Sequence, residues 1–206
     1  KLYKWLPPDT GTVAVAVTGA PTGSAVVVTP ERFIFVLGAD GDNRKVRWAD
    51  QESDSDWTAG ATDQAGDIIL ETQGKLMCGK RIRGGTLIWT DMDVHLATYI
   101  AQPFIYRFDR LGENCGIISR GAAAVADARA MWMGNGRFYA FDGSIREINC
   151  EVAEGVFGDF NTTQKSKVTA HHEPKFSEVW WKYPSGSSTE VDRAVVYNYE
   201  GDFWII

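Results

Sequence analysis

The sequence predicts an all-β, β-propeller-like protein, with repeated antiparallel blades of roughly 43–54 residues. Three observations predict it. Aromatic-centred hairpins recur four times, at residues 31–49, 85–100, 130–142 and 178–199. Their anchors Phe35, Trp89, Trp132 and Trp181 follow one another at steps of 54, 43 and 49 residues. That is the spacing of propeller blades that each hold several short strands. Nowhere does a 10–15-residue amphipathic helix alternate with strands, which argues against a parallel α/β sheet.

Residues 1–30 form a strand-rich opening, expected to help complete a blade. Pro7-Pro8 and Thr10-Gly11 break structure, after which Val13, Val15 and Val17 alternate with small residues, as a half-buried strand does. The run 19–23, Gly-Ala-Pro-Thr-Gly, turns the chain into the β-branched stretch 25–29. Residues 31–206 carry the four hairpin repeats. The third has the strongest local signal, because Asn135-Gly136 tolerates the positive φ angles of a type I′ turn, whose twist suits the flanking strands. The first hairpin turns through an acidic loop at 38–43 and the fourth through a polar one at 184–188, so loops vary on a constant frame. Between the third and fourth repeats, Val152, Val156, Phe157 and Phe160 fall at helical spacing, which predicts a helix of one or two turns within 151–161.

Composition bounds the function. A chain of 206 residues buries about 70% of its unfolded surface, enough for a sizeable core. Net charge is −6, from 21 basic and 27 acidic residues spread evenly, which argues against the clustered basic face of a nucleic-acid binder. Cys78, Cys115 and Cys150 are odd in number and lack Cys-x-x-Cys pairing, so they read as small buried hydrophobes of a reducing compartment. No apolar run reaches the length of a membrane span, and no secretory signal opens the chain. The opening Lys1 and the apolar close Trp204-Ile205-Ile206 read as cut ends, so a fragment of a longer protein is expected.

No constellation supports catalysis, a metal or a cofactor. Asp40-Gly41-Asp42-Asn43 begins like a calcium loop, but Gln51 and Glu52 stand where a distal bidentate Glu is needed, and hairpin aspartates usually bond their own backbone. Ser53-Asp-Ser-Asp-Trp57 departs from the sialidase Asp-box, which needs a Gly and a later Trp. A sialidase would also need clustered arginines and a Tyr nucleophile. Arg81, Arg83, Arg107, Arg110, Arg120 and Arg129 are available, and arginine abundance is a weak signal. His95 falls in a predicted strand, and His171-His172 in a predicted loop before Glu173-Pro174. No nucleophile–base order, zinc spacing or phosphate loop is present. Trp48, Trp57, Trp180 and Trp181 could stack sugars, but at hairpin spacing they read as packing between sheets.

Several phrases occur in order along residues 31–206: W-x-D-Q-E-x-x-x-D-W from Trp48 to Trp57, the run 87–101, W-M-G-x-G-x-F-Y from Trp132, E-V-W-W-x-Y-P-S from Glu178, and D-R-x-V-x-Y-N-Y-E from Asp192. Together they resemble the tail-hub, or packaged-DNA stabilisation, proteins of tailed bacteriophages. The resemblance implies a structural virion protein of the tail, made in the host bacterial cytoplasm and without enzymatic activity. Copies of such a protein form a ring, a nozzle or adaptor below the portal, with other tail or portal-adaptor proteins as partners. DNA would be non-specific cargo, retained and then guided out. The alternative is a propeller lectin or glycan-binding module, with a sialidase-like glycoside hydrolase behind it. Exposed, clustered tryptophans beside an arginine-lined cup favour the carbohydrate readings; buried, evenly distributed ones favour the scaffold.

Overall fold

Almost half of the chain is strand, and the strands gather into antiparallel sheets joined by short turns. The computed structural model describes residues 1–5, 13–60, 62–126 and 128–206. The breaks expected at Pro7-Pro8 and Thr10-Gly11 lie outside the described residues. A two-stranded sheet opens the chain, β1 (Tyr3–Lys4) against β2 (Val15–Ala16). Val17, next along, is buried, whereas Val13 and Val15 are exposed, so the expected alternation holds only at its end.

Four four-stranded sheets follow, each a meander in chain order. The first holds β3 (Ala25–Val28), β4 (Ile34–Leu37), β5 (Lys45–Trp48) and β6 (Gly66–Ile69). The second holds β7 (Leu76–Ile82), β8 (Gly85–Thr90), β9 (Asp93–Ala101) and β10 (Ile105–Glu113). The third holds β11 (Ala123–Ala126), β12 (Arg129–Met133), β13 (Phe138–Phe141) and β14 (Ile145–Ile148). The fourth holds β15 (Thr169–Glu173), β16 (Glu178–Tyr183), β17 (Arg193–Asn198) and β18 (Phe203–Ile205). A short helix α1 (Ala153–Gly158) sits between the last two sheets in sequence, within the expected 151–161 window.

Each predicted hairpin supplies the second and third strands of one sheet. Phe35, Trp89, Trp132 and Trp181 all lie on the second strand, and each is 0% exposed. Three of them face a small or β-branched residue on the first strand: Val27 faces Phe35, Ala123 faces Trp132, and Ala170 faces Trp181. A large ring beside a small partner lets the flanking layer close over it, which is how a twisted sheet reaches interior packing density.

The chain divides into two compact units, one of residues 1–81, 85–88 and 96–109, the other of 82–84, 89–95 and 110–206. In the first unit Phe33, Phe35, Leu37, Val46, Trp48 and Leu70 form a core with Leu76, Ile88, Ala97, Ile105 and Tyr106. Tyr106 meets Phe33, Phe35 and Trp48 edge to face at 5.3, 4.7 and 5.9 Å, the arrangement that the ring quadrupole favours. Its hydroxyl donates to Glu31 Oε2 at 2.9 Å and pairs with Thr29 Oγ1 at 2.8 Å, so the polar end of a buried ring is satisfied.

In the second unit Phe138 packs on Trp181 and Trp204 at 4.9 and 4.7 Å, joining the third sheet to the fourth. The same sheets meet at their first strands: Gly121, just before β11, forms a parallel bridge with Thr169 of β15, and Ala170 N–H donates to Gly121 O at 2.7 Å.

The β12–β13 hairpin differs in detail from the type I′ expectation. Gly136 has φ 81°, but Asn135 has no positive φ. A single positive φ rules out type I′, which needs two, and Gly134 N–H donates to Arg137 O across the turn at 2.8 Å. His171 and His172 are also corrected. They belong to β15, paired with Trp180 and Val179, because cross-strand pairing to β16 extends a segment that has little strand signal of its own.

Candidate functional site

The most concentrated buried polar group is in the β8–β9 hairpin. Thr90 and Asp93 bracket its turn, and His95 follows two residues on, so Asp93 and His95 share one face of β9. All three are nearly inaccessible. The Thr90 hydroxyl donates to Asp93 Oδ1 and accepts the backbone N–H groups of Met92 and Asp93 at 3.0 and 2.8 Å. His95 Nε2 lies 3.4 Å from Asp93 Oδ1 and has no hydrogen-bond partner. Burial holds the His95 pKa below the ordinary histidine value; Asp93 pulls it up, and Arg110 adds to the lowering.

This trio has the residue types of a hydrolytic triad with the wrong connections. The hydroxyl is bonded to the carboxylate rather than to the imidazole, and none of the three reaches solvent. Its geometry closes a hairpin. Sequence reasoning missed it, although the Asp-x-His alternation after Thr90 was a readable signal.

Nearby chemistry is similarly locked. Burial pushes the Cys115 thiol up to about 11, and does the same to Cys150, so neither is a thiolate at neutral pH. None of the three cysteines is in a disulfide; Cys78 and Cys115 are buried, as expected, whereas Cys150 is only half-buried.

The calcium-like loop uses its own carboxylates. Asp40 pairs with Lys45 at 3.1 Å and Arg47 at 3.2 Å, while Asp42 Oδ1 accepts the backbone N–H of Arg44 at 2.8 Å. Glu52 instead pairs with Arg32 at 3.2 Å. Sequence spacing did not single out a different set: one carboxylate oxygen each from Asp50, Asp56 and Asp63 comes within 4.8 Å of the others. These half-buried side chains are already engaged, since Asp50 Oδ1 accepts Gln64 N–H at 2.8 Å and Asp56 Oδ1 accepts Thr58 N–H at 3.2 Å.

The arginines considered for a carboxylate clamp fall on different elements. Arg81 is the penultimate residue of β7 and Arg129 begins β12, whereas Arg107 and Arg110 share β10 and pair locally with Asp109 and Glu113. His171 and His172 alternate along β15. His172 Nε2 meets the Tyr199 hydroxyl at 3.0 Å, and His171 lies 4.0 Å from Glu173, so each faces its own partner.

The tryptophans are spent inside. Trp48, Trp57, Trp89, Trp132 and Trp181 are buried, Trp180 and Trp204 are half-buried, and Trp5 alone is exposed. Four of the buried indole N–H groups brace the backbone: Trp48 donates to Gln64 O, Trp57 to Asp54 O, Trp132 to Cys115 O and Trp181 to Ala122 O, at 2.7–3.0 Å, whereas that of Trp89 has no partner among the described residues. Among the described residues no helix is long and apolar enough to cross a membrane. Neither the protein-family models nor the curated proteins compared with this chain give a match. The functional reading rests on the residues themselves.

Proposed function

We propose that this chain is a structural protein of a phage tail, built on a β-propeller-like body whose blades are the four meander sheets. Copies assemble into a ring-like hub or nozzle with other tail or portal-adaptor proteins, retain packaged DNA and guide its exit. The protein acts by assembling, without catalytic turnover, and resides in the virion tail.

The observation that carries this reading is the shared position of Phe35, Trp89, Trp132 and Trp181 on the second strand of successive four-stranded meanders. A blade repeat requires that equivalence. The parallel neighbourhood of Gly121 and Thr169, at the first strands of two successive sheets, is the relation adjacent blades have around a common axis. Burial of five of the eight tryptophans favours a scaffold over a sugar-stacking surface. Of the ordered phrases, those from Leu87, Trp132, Glu178 and Asp192 lie on these same hairpins, and the one from Trp48 leads out of the first. An acidic net charge of −6 suits a conduit, since passing DNA meets few phosphate-neutralising contacts. A closed ring requires a heterologous contact, one face of each copy meeting a different face of the next.

The test is assembly. Purified protein combined with its tail partners is imaged by electron microscopy, and free DNA binding is titrated over a salt series. Defined rings with weak, salt-sensitive DNA binding are expected. A persistent monomer that binds one glycan tightly, or that releases sugar from a glycan panel, overturns the reading.

A further inference from the structure

We propose that Asn135-Gly136, at the tip of the β12–β13 hairpin, is a site of spontaneous deamidation and isoaspartate formation. The backbone nitrogen of Gly136 gives up its proton to solvent base and attacks Cγ of the Asn135 carboxamide. A new C–N bond closes a five-membered succinimide, and the original carboxamide C–N bond breaks to release ammonia. One water then opens the ring at either carbonyl, leaving aspartate or isoaspartate. No oxidant, cofactor or second protein is needed.

The structure leaves both reacting groups available. Asn135 and Gly136 are exposed, and among the described residues neither the carboxamide nor the Gly136 N–H makes a hydrogen bond. Nothing lies within 4 Å of the place a Gly136 Cβ would occupy, so no other part of the chain packs against that face of the residue. Gly136 is also free to adopt the backbone angles that ring closure demands.

No other asparagine combines these features. Asn43, Asn114, Asn149, Asn161 and Asn198 are followed by Arg44, Cys115, Cys150, Thr162 and Tyr199, whose side chains crowd the attacking nitrogen. Two aspartates precede glycine, Asp40 and Asp142, but each is held in an ion pair, Asp40 with Lys45 and Arg47, Asp142 with Arg146 at 3.6 Å. An ionised carboxylate is a poor electrophile, so these positions react slowly.

The product is not neutral for the fold. Isoaspartate routes the main chain through Cβ and adds a methylene to a turn closed by the Gly134–Arg137 hydrogen bond. Met133 and Phe138, paired beside that turn, are both fully buried. Lengthening the turn pulls on this pairing and on Arg137, whose guanidinium is held by Glu147.

The test ages native protein in ¹⁸O-labelled water at mildly alkaline pH, with a second sample unfolded in urea and with the Asn135→Gln variant. Peptide mapping by mass spectrometry locates the label, and an isoaspartyl methylation assay identifies the product. Loss of the Asn135 amide before any other in native protein, with an isoaspartyl product absent from Asn135→Gln, is the expected result. Conversion in urea with an intact Asn135 in native protein overturns the proposal, as does earlier reaction at another asparagine.

Discussion

The indole of Trp89 meets that of Trp132 edge to face, with ring centroids 5.6 Å apart. These are the anchors of the second and third sheets, and Trp132 also stacks on Tyr139, its partner across β12–β13, at 5.7 Å. The anchors of these two successive sheets are therefore in direct contact, each burying part of the other's aromatic face.

Removing one anchor should then cost more than one strand's packing. Trp132→Ala deletes a fully buried side chain and its 2.7 Å hydrogen bond to Cys115 O. A loss of about 3–5 kcal/mol is expected from truncation of a large core aromatic. Trp180→Ala, at the half-buried neighbour of Trp181, should cost clearly less. Denaturant midpoints of the two variants compare them directly, and equal shifts would contradict the anchor assignment.

Much of this frame was legible because hairpins are local. A β-rich run at each of Phe35, Trp89, Trp132 and Trp181, followed by a polar turn and a second β-rich run, specifies pairs of adjacent strands without long-range information. The fourth strands and the strand role of His171-His172 were not legible, since pairing partners decide them. Nor was the approach of Asp50, Asp56 and Asp63, which loop closure produces. The Asn135-Gly136 turn lies between these cases: its place was read from two residues, while its type, with positive φ at Gly136 alone, was not.

That turn gives a second prediction. Gly136 holds φ 81° with open space where a side chain would go, so a substitution there meets backbone strain rather than a clash. Gly136→Val should destabilise by about 1–3 kcal/mol, because a β-branched residue is disfavoured at that angle. Gly136→Asn should recover most of the loss, since Asn tolerates the left-handed region. Thermal melts of both variants decide it, and an unchanged melting temperature for the Val variant would count against the turn geometry.

Two further glycines separate steric from conformational effects. A Cβ on Gly116 would lie 2.2 Å from both the Asp91 carbonyl carbon and the Met92 nitrogen. Gly116→Ala should therefore force backbone movement beside the β8–β9 turn and cost about 1–3 kcal/mol, as overpacking does. Gly155 lies exposed in α1 with nothing within 4 Å. Gly155→Ala should stabilise by about 0.5–1 kcal/mol, through lower unfolded-state entropy and better helix propensity. Opposite signs in urea unfolding are the expected result.

The buried Thr90–Asp93–His95 group makes stability depend on pH. His95 is neutral in the folded protein because burial depresses its pKa below the ordinary 6.5, whereas the unfolded chain leaves it near that value. Between the two values the unfolded state binds the extra proton and the folded state does not. By linkage, stability then rises with pH in that window. The contribution is fully present above the unfolded value and is lost as pH falls from 6.5 through the folded value. His172, also depressed by partial burial, adds a slope of the same sign. His95→Gln removes the main titrating group while keeping a polar side chain. Its stability should be lower at neutral pH but fall less steeply on the acid side, and Tyr199→Phe should leave the His95 slope in place. Denaturation curves at a series of pH values measure both, and a His95→Gln variant with the wild-type acid slope would show that the buried imidazole is not its source.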